Sequence, residues 1–431
     1  MPSVTFPRMM LVRQNYPDRR ILDVAGEVRR QLAASPFAAR LKPGARVAIG
    51  VGSRGINNIA VIARAAVDYW KQLGMRPFII PVMGSHGAAT AEGQADVLAH
   101  YGIDEPSMGC PIVSQLEVVS LGKTADNIEA FMDRAAYESD GVMLINRIKW
   151  HTDFSGKIES GLFKMMAIGL GKFAGARRYH MYAYKLGLEH ILRSVGRLVL
   201  KSGKMLGGLA IVEDAHHNTA KLEAVTADIM EQREEENLAL ARSWRSTIPV
   251  DLDLLIVDEI GKHISGGGLD WKIVNRGFEA ERNPYSDVKR FERIFLRDLS
   301  PLSYGNSIGL GVADMVTDRL VNMTNWEAVH ANGLTSLGLA TMRTPIHLPS
   351  DRECIAALMP TVGKLDLSEV TIGRIRNTLE LGVVALSENL KPEIEKNPLL
   401  EIVSPPRELE FDSSGNLLDM PLGHARGVPA H

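Results

Sequence analysis

Cysteine is nearly absent from this 431-residue sequence: Cys110 and Cys354 lie far apart and outside any CxxC or Cys/His cluster. That scarcity excludes a disulfide framework, an iron–sulfur centre and a structural zinc site, and leaves two buried thiols. Charge of one sign is missing too. The 49 Lys and Arg against 51 Asp and Glu give a formal net charge of -2, and without a long basic run nothing draws the chain to nucleic acid or an anionic membrane. No run of about 18 uncharged apolar residues occurs, and the first residues lack a basic segment followed by an apolar one. The expectation is a cytoplasmic protein with neither membrane nor nucleic-acid partner. A hydrophobic content of 45% is ordinary for a globular chain, and the length suits two domains.

Short apolar runs alternate with amphipathic helical stretches. Residues 46–51 read as a strand, 59–73 as a helix closed by Gly74, 77–82 as a second strand and 91–101 as a second helix. Further strands are expected at 117–121, 141–145 and 209–213. This alternation predicts an α/β fold with mostly parallel sheets. Residues 221–244, rich in Glu, Ala, Leu and Arg, read as one long helix ended by Ile248-Pro249, where the domain boundary is placed. The expected organisation is an N-terminal α/β domain over 1–248, with a C-terminal α/β domain over 249–405 that includes strands at 252–258 and 381–386. An extension over 406–431, rich in Pro, Gly and Asp, is either packed or disordered, and the active-site cleft is expected between the two domains.

Ligands of parallel sheets bind beyond the C-terminal strand ends, so the loops Gly52-Ser53-Arg54, Gly84-Ser85-His86, 146–151 and 213–217 are expected along one edge. His86 stands between Gly84-Ser85 and Gly87, where backbone or ligand can approach closely. His151 follows Lys149-Trp150 and precedes Thr152-Asp153, a polarity foreign to a core strand. Imidazoles relay protons near neutral pH. Lys164 lies among Phe163, Met165 and Met166, surroundings that lower an amine pKa and make a usable nucleophile; Lys157 and Lys172 are the competing lysines. Glu213-Asp214-Ala215-His216-His217 gathers carboxylates and imidazoles but reads as a hydrogen-bonded turn, or as a group that orients a catalytic histidine. The run Gly266-Gly267-Gly268 precedes Lys272, Asn275 and Arg276 and permits close approach to an anion. Arg276, Lys272 and Lys262 are candidates for a substrate carboxylate, arginine having the bidentate geometry. Asp314, Asp318, Arg319, Asn322 and Thr324 read as helix caps.

Together these segments resemble the nickel-pincer lactate racemase family over roughly residues 40–280. In that family a histidine precedes a Ser-Gly-Gly-Arg-Lys motif, a Pro-Gly turn follows, and a second histidine comes about a helix later. Here His151 leads, Ser160-Gly161-Leu162-Phe163-Lys164 stands for the lysine motif, Ile168-Gly169 for the turn, and His180 falls at the expected distance. The spacing from His151 to Lys164 is about three residues longer, and Val51 stands where the family carries an aspartate three residues before its arginine. The resemblance implies an isomerase, a racemase or epimerase of a 2-hydroxy acid or related carbinol. It implies a nickel-pincer nucleotide, a pyridinium thioamide/thiocarboxylate mononucleotide, tethered to Lys164 and installed by cofactor-maturation enzymes. Implied with it are His180 as nickel ligand, Arg54 with Ser53, Gly169 and Arg178 as cofactor contacts, and His86 and His151 as paired acid and base. Planar nickel with soft donors differs from zinc, which prefers tetrahedral N/S sites. The alternative is a non-catalytic homologue that binds a nucleotide or small acid. An ordinary nucleotide-dependent dehydrogenase is disfavoured because no Gly-x-Gly-x-x-Gly follows the first strand.

Overall fold

The protein is described here by a computed structural model covering residues 5–52, 55–152 and 154–423. It divides into two compact units: Pro17–Arg245, and a discontinuous unit of Met1–Tyr16 with Ser246–His431. The first strand, β1 (Met9–Gln14), belongs to the discontinuous unit. The continuous unit supplies β2 (Arg46–Val51), β3 (Arg76–Pro81), β4 (Val118–Lys123), β5 (Glu129–Asp133), β6 (Gly141–Arg147), β7 (Met205–Glu213) and β8 (Thr219–Thr226). The remaining strands are β9 (Leu252–Ile260), β10 (Phe291–Leu299), β11 (Met315–Thr317), β12 (Ile346–Leu348), β13 (Ile372–Ile375), β14 (Val383–Ser387) and β15 (Leu400–Ile402).

The main sheet of the continuous unit has the order β3-β2-β6-β7-β8. Its first four strands are parallel, and β8 returns antiparallel to β7. Strand alternation sorts the side chains. Val47, Ile49, Val51, Met143, Ile145, Leu209 and Ile211 share one core with Ile59, Ile62, Ala66 and Trp70 of the helix Ile59–Gln72. On the other face Gly208 lies against Leu162. The mixed α/β architecture with mostly parallel strands is the one the alternation predicts.

Three expectations are corrected. Residues 221–244 are not one helix: Thr219–Thr226 is strand β8, and the helix is Met230–Trp244. The composition favours helix, but pairing of Ala224 with Leu209 and of Leu222 with Ile211 buries Leu222 and Val225, and tertiary burial overrides propensity. The strand expected at 117–121 is present as β4 (Val118–Lys123), but it pairs with β5 in a separate antiparallel ladder and not in the parallel sheet. Finally, the residues up to Tyr16 do not belong with the following 230. Strand β1 pairs antiparallel with β14 and β15, in a sheet ordered β12-β11-β10-β9-β13-β14-β1-β15. The described part of the expected extension, 406–423, is packed into the same unit, with Leu409 and Leu417 in its core. Arg297, Arg374 and Arg319 bond to Leu417 O, Leu418 O and Asn416 Oδ1.

Candidate functional site

Strand order fixes where a ligand site forms in the continuous unit. From β2 the chain crosses to β3 on one side, whereas β6 lies on the other side and leads to β7. The C-terminal ends of β2 and β6 therefore flank a topological switch point, the position at which parallel sheets open a crevice. Gly52, just past β2, has no room for a side chain: a Cβ there would lie 2.8 Å from Asn146 Oδ1 and 3.5 Å from Met165 Sδ. Asn146, near the end of β6, donates through Nδ2 to Gly161 O at 3.1 Å. The turn Leu162–Lys164, continued by the π-helical turn Met165–Gly169, is thus bonded to the end of β6 through Gly161 and packs close to Gly52 at the end of β2. Lys164 is half-buried there, flanked by the buried Phe163 and Met165.

The loop after β3 carries His86, which is half-buried. Gly84 takes φ 61°, and a Cβ on it would meet Ile168 Cγ2 at 2.9 Å and Ala176 Cβ at 3.4 Å, so only glycine lets the loop press against the helix Lys172–Leu186. Gly87, Ala88 and Ala89 follow at φ 63°, 54° and 57°. Left-handed backbone at two alanines costs about 1–2 kcal/mol each. The loop is held from beneath by Gln94, fully buried, whose Nε2 donates to Gly84 O at 2.9 Å and to His86 O at 3.4 Å. Lys172 completes the clamp. Its buried ammonium donates to Pro81 O at 2.7 Å and pairs with Asp133 Oδ2 at 3.1 Å, while burial lowers its pKa despite the carboxylate. Lys172 is therefore a structural cation, which removes it from competition with Lys164.

His180 lies on the same helix, one turn beyond Ala176. Its ring is exposed, with Nδ1 2.6 Å from Ala176 O. A carbonyl accepts only from an N–H, so this contact selects the Nδ1–H tautomer and puts the ring lone pair on Nε2, the arrangement usual in metal-ligating histidines. His151 follows β6 and lies 4.8 Å, ring to ring, from Phe154. Its backbone N–H donates to Glu159, a fully buried carboxylate that also accepts from Gly156 N at 3.0 Å and from Arg242 at 2.6 Å. Glu159, Gln94 and the Lys172–Asp133 pair went unnoticed in the sequence; the signal available was a polar residue in the midst of apolar or glycine-rich runs.

The other predicted residues are placed as follows. Ser53 and Arg54 lie outside the described residues. Gly169 is buried against Val82, where a Cβ would come within 2.4 Å of Cγ1. Arg178 is on the surface, ion-paired with Glu129 at 2.6 Å and stacked over Phe131. In the 213–217 loop Asp214 accepts from Arg19 N, His216 N and Asn218 N, and Glu213 binds Asn57 N and the Arg147 guanidinium, so this loop is a hydrogen-bonded turn.

Lys272, Asn275 and Arg276 belong to the discontinuous unit, and all three are buried. Here the substrate-contact expectation meets an architectural arrangement. Asn275, at φ 48°, donates to Tyr285 O, Val288 O and Lys289 O and accepts from Tyr285 N. Arg276 donates to Phe291 O at 3.0 Å and reaches Asp314 at 3.3 Å, while burial lowers its pKa. The glycine run leads into a segment in which Asn275 bonds to Tyr285, Val288 and Lys289 and Arg276 to Phe291. Among the described residues no three His, Cys, Asp or Glu side chains gather as a metal cage, and no helix is long and apolar enough to cross a membrane.

No family model and no curated protein matches the sequence. Among solved structures, the chain is similar to the lactate racemase apoprotein from Thermoanaerobacterium thermosaccharolyticum, with 13% identity over 79% of this chain and 87% of that one and a TM-score of 0.46.

Proposed function

We propose that this chain is an isomerase that inverts a carbinol centre in a 2-hydroxy acid or a related alcohol, using a nickel-pincer nucleotide tethered to Lys164. The observation that carries the reading is the bond from Asn146 at the end of β6 to Gly161, which holds the Lys164 turn close to Gly52 at the switch point, where a cofactor-bearing residue is best placed to meet a ligand.

The residues fit such a group. Lys164 ends a short turn between the buried Phe163 and Met165, and its amine would form the acyl linkage to the cofactor. His180, with Nδ1 turned to Ala176 O, would be the residue that holds the metal through Nε2, a nitrogen donor suited to nickel. Arg54 and Ser53 are the proposed phosphate contacts. Held by these residues, such a group would supply reversible hydride acceptance, the chemistry that inversion of a carbinol requires.

The chain's own residues handle the proton. Taking a hydroxyl proton needs only a modest base, whereas removing the neighbouring C–H proton needs a strong one. Imidazoles suit both directions because their ordinary pKa lies near 6.5. His86, on a loop with left-handed backbone at Ala88 and Ala89, and His151, on a loop organised by the buried Glu159, serve as base and acid in turn, one for each enantiomer.

The test is intact mass and peptide mapping of protein produced with cofactor-maturation enzymes and nickel. An adduct on Lys164, absent from Lys164→Ala, is expected, together with racemisation of at least one 2-hydroxy acid that depends on both His86 and His151. Absence of any adduct where a lactate racemase is loaded in parallel refutes the tether and leaves the non-catalytic binder.

A further inference from the structure

The helix Met230–Trp244 buries one carboxyl group that the reaction scheme does not use. Glu234 is 1% exposed, within a run whose neighbours Glu235 and Glu236 remain solvated. Its Oε2 accepts from Phe163 N at 2.9 Å, and the N–H of Leu162 also bonds to the carboxyl. These are the first N–H groups of the turn that ends at Lys164, donors that a turn leaves without internal partners. The other oxygen, Oε1, is buried and has no hydrogen-bond partner among the described residues. It faces Gly161, where a Cβ would come within 2.4 Å of it.

We propose that Glu234 is the positioning residue for Lys164: a neutral carboxylic acid, seated on Gly161, that caps the lysine-bearing turn through its carbonyl oxygen. The oxygen inventory favours this state. Oε2 accepts both N–H groups, and a proton on Oε1 would leave there a neutral hydroxyl, whose burial without a partner costs less than that of a charge. An ionised carboxylate would leave Oε1 charged, buried and unpartnered, at a large desolvation cost. Burial pushes the Glu234 pKa up to about 8, against the lowering effect of the Phe163 and Leu162 N–H groups. The charged groups facing it add little. Arg193 is already paired at 2.6 Å with each of Glu189, Glu231 and Glu235, and Glu231 opposes ionisation. The inference also accounts for glycine in the Ser160-Gly161-Leu162-Phe163-Lys164 motif, since any side chain at 161 would displace the cap.

The assignment rests on Lys164 as the tether for its purpose, but its test needs no cofactor. In the full chain, amide exchange of the 160–166 peptide and acetylation of Lys164 relative to Lys157 are measured from pH 6 to 10 in wild type, Glu234→Gln and Glu234→Ala. Glu234→Gln keeps a neutral cap with an accepting oxygen, so its Lys164-to-Lys157 acetylation ratio should match wild type below pH 7. Glu234→Ala should speed exchange of the Leu162 and Phe163 amides about tenfold, the scale of a lost pair of buried hydrogen bonds, and shift the Lys164-to-Lys157 ratio. Between pH 7 and 9 wild type should depart from Glu234→Gln as the acid ionises. Coincident wild-type and Glu234→Gln profiles throughout, or a folded Glu234→Ala with unchanged exchange and ratio, overturn the proposal. If Glu234→Ala does not fold, the pH comparison with Glu234→Gln decides alone. A missing adduct on Lys164 would count against the tether only, and leaves these readouts untouched.

Discussion

Replacing Glu234 with glutamine should change the pH dependence of stability in a direction opposite to that of most carboxylates. An ordinary paired carboxylate has a depressed pKa and adds stability as pH rises; Glu234 is pushed from about 4.5 up to about 8. Between those values the folded chain holds a proton that the unfolded chain has released. Stability therefore falls as pH rises through the window and levels off above about 8. At about 1.4 kcal/mol per pKa unit, the penalty reaches on the order of 5 kcal/mol. Glutamine does not titrate and keeps an accepting oxygen at the same place. Relative to wild type, Glu234→Gln should gain stability progressively from pH 4.5 to 8, with little further gain to pH 9. Urea unfolding read by exchange of peptides from Pro17–Arg245 isolates the relevant unit from the other. A wild-type-minus-Glu234→Gln difference that stays flat from pH 4.5 to 9 refutes the neutral acid, and one that slopes the other way shows an ionised, stabilised carboxylate.

Three further outcomes follow from the same packing. Lys172→Met leaves Asp133 buried without its cation and should cost about 3–5 kcal/mol in urea melts of that unit, with much of the loss recovered in Lys172→Met/Asp133→Leu; a loss below about 1 kcal/mol would contradict the clamp. Gly161→Ala should cost about 1–3 kcal/mol by overpacking, and much less in a Glu234→Ala background, so a double-mutant cycle with no coupling argues against their contact. Asn275→Ala removes an amide bonded to three carbonyls and should lower stability of the discontinuous unit by roughly 2 kcal/mol or more. An unchanged melting temperature there, with weakened substrate binding, would restore Asn275 as a ligand contact.

Much of the continuous unit was legible because its physics is local and periodic. The strand at 46–51, the helix ending near Gly74 and the loop glycines beside His86 all announce themselves through apolar runs and conformational demand. What stayed hidden depended on partners distant in sequence. Strand β8 has the composition of a helix and becomes a strand because β7 offers a ladder. Asn275 and Arg276 look like anion receptors, yet their bonding partners come from residues 283–314. Glu234 was disguised by the acidic run around it, although Met230, Glu234, Asn237 and Leu238 follow one helical stripe at offsets of four, seven and eight. A carboxylate on an otherwise buried stripe is the signal that reading missed.

Strand β1 carries a consequence for how the chain is made. It leaves the ribosome before every other strand described here, yet the strands on either side of it, β14 and β15, are encoded about 370 residues later. At about 5–20 residues per second it waits roughly 20 to 75 s for its neighbours, while the segment Pro17–Arg245 holds every strand of its own sheet and can close beforehand. Biogenesis of the discontinuous unit is thus intrinsically late, and a nascent Met9-Met10-Leu11-Val12 stretch without a ladder is the point at which chaperones have most to shield.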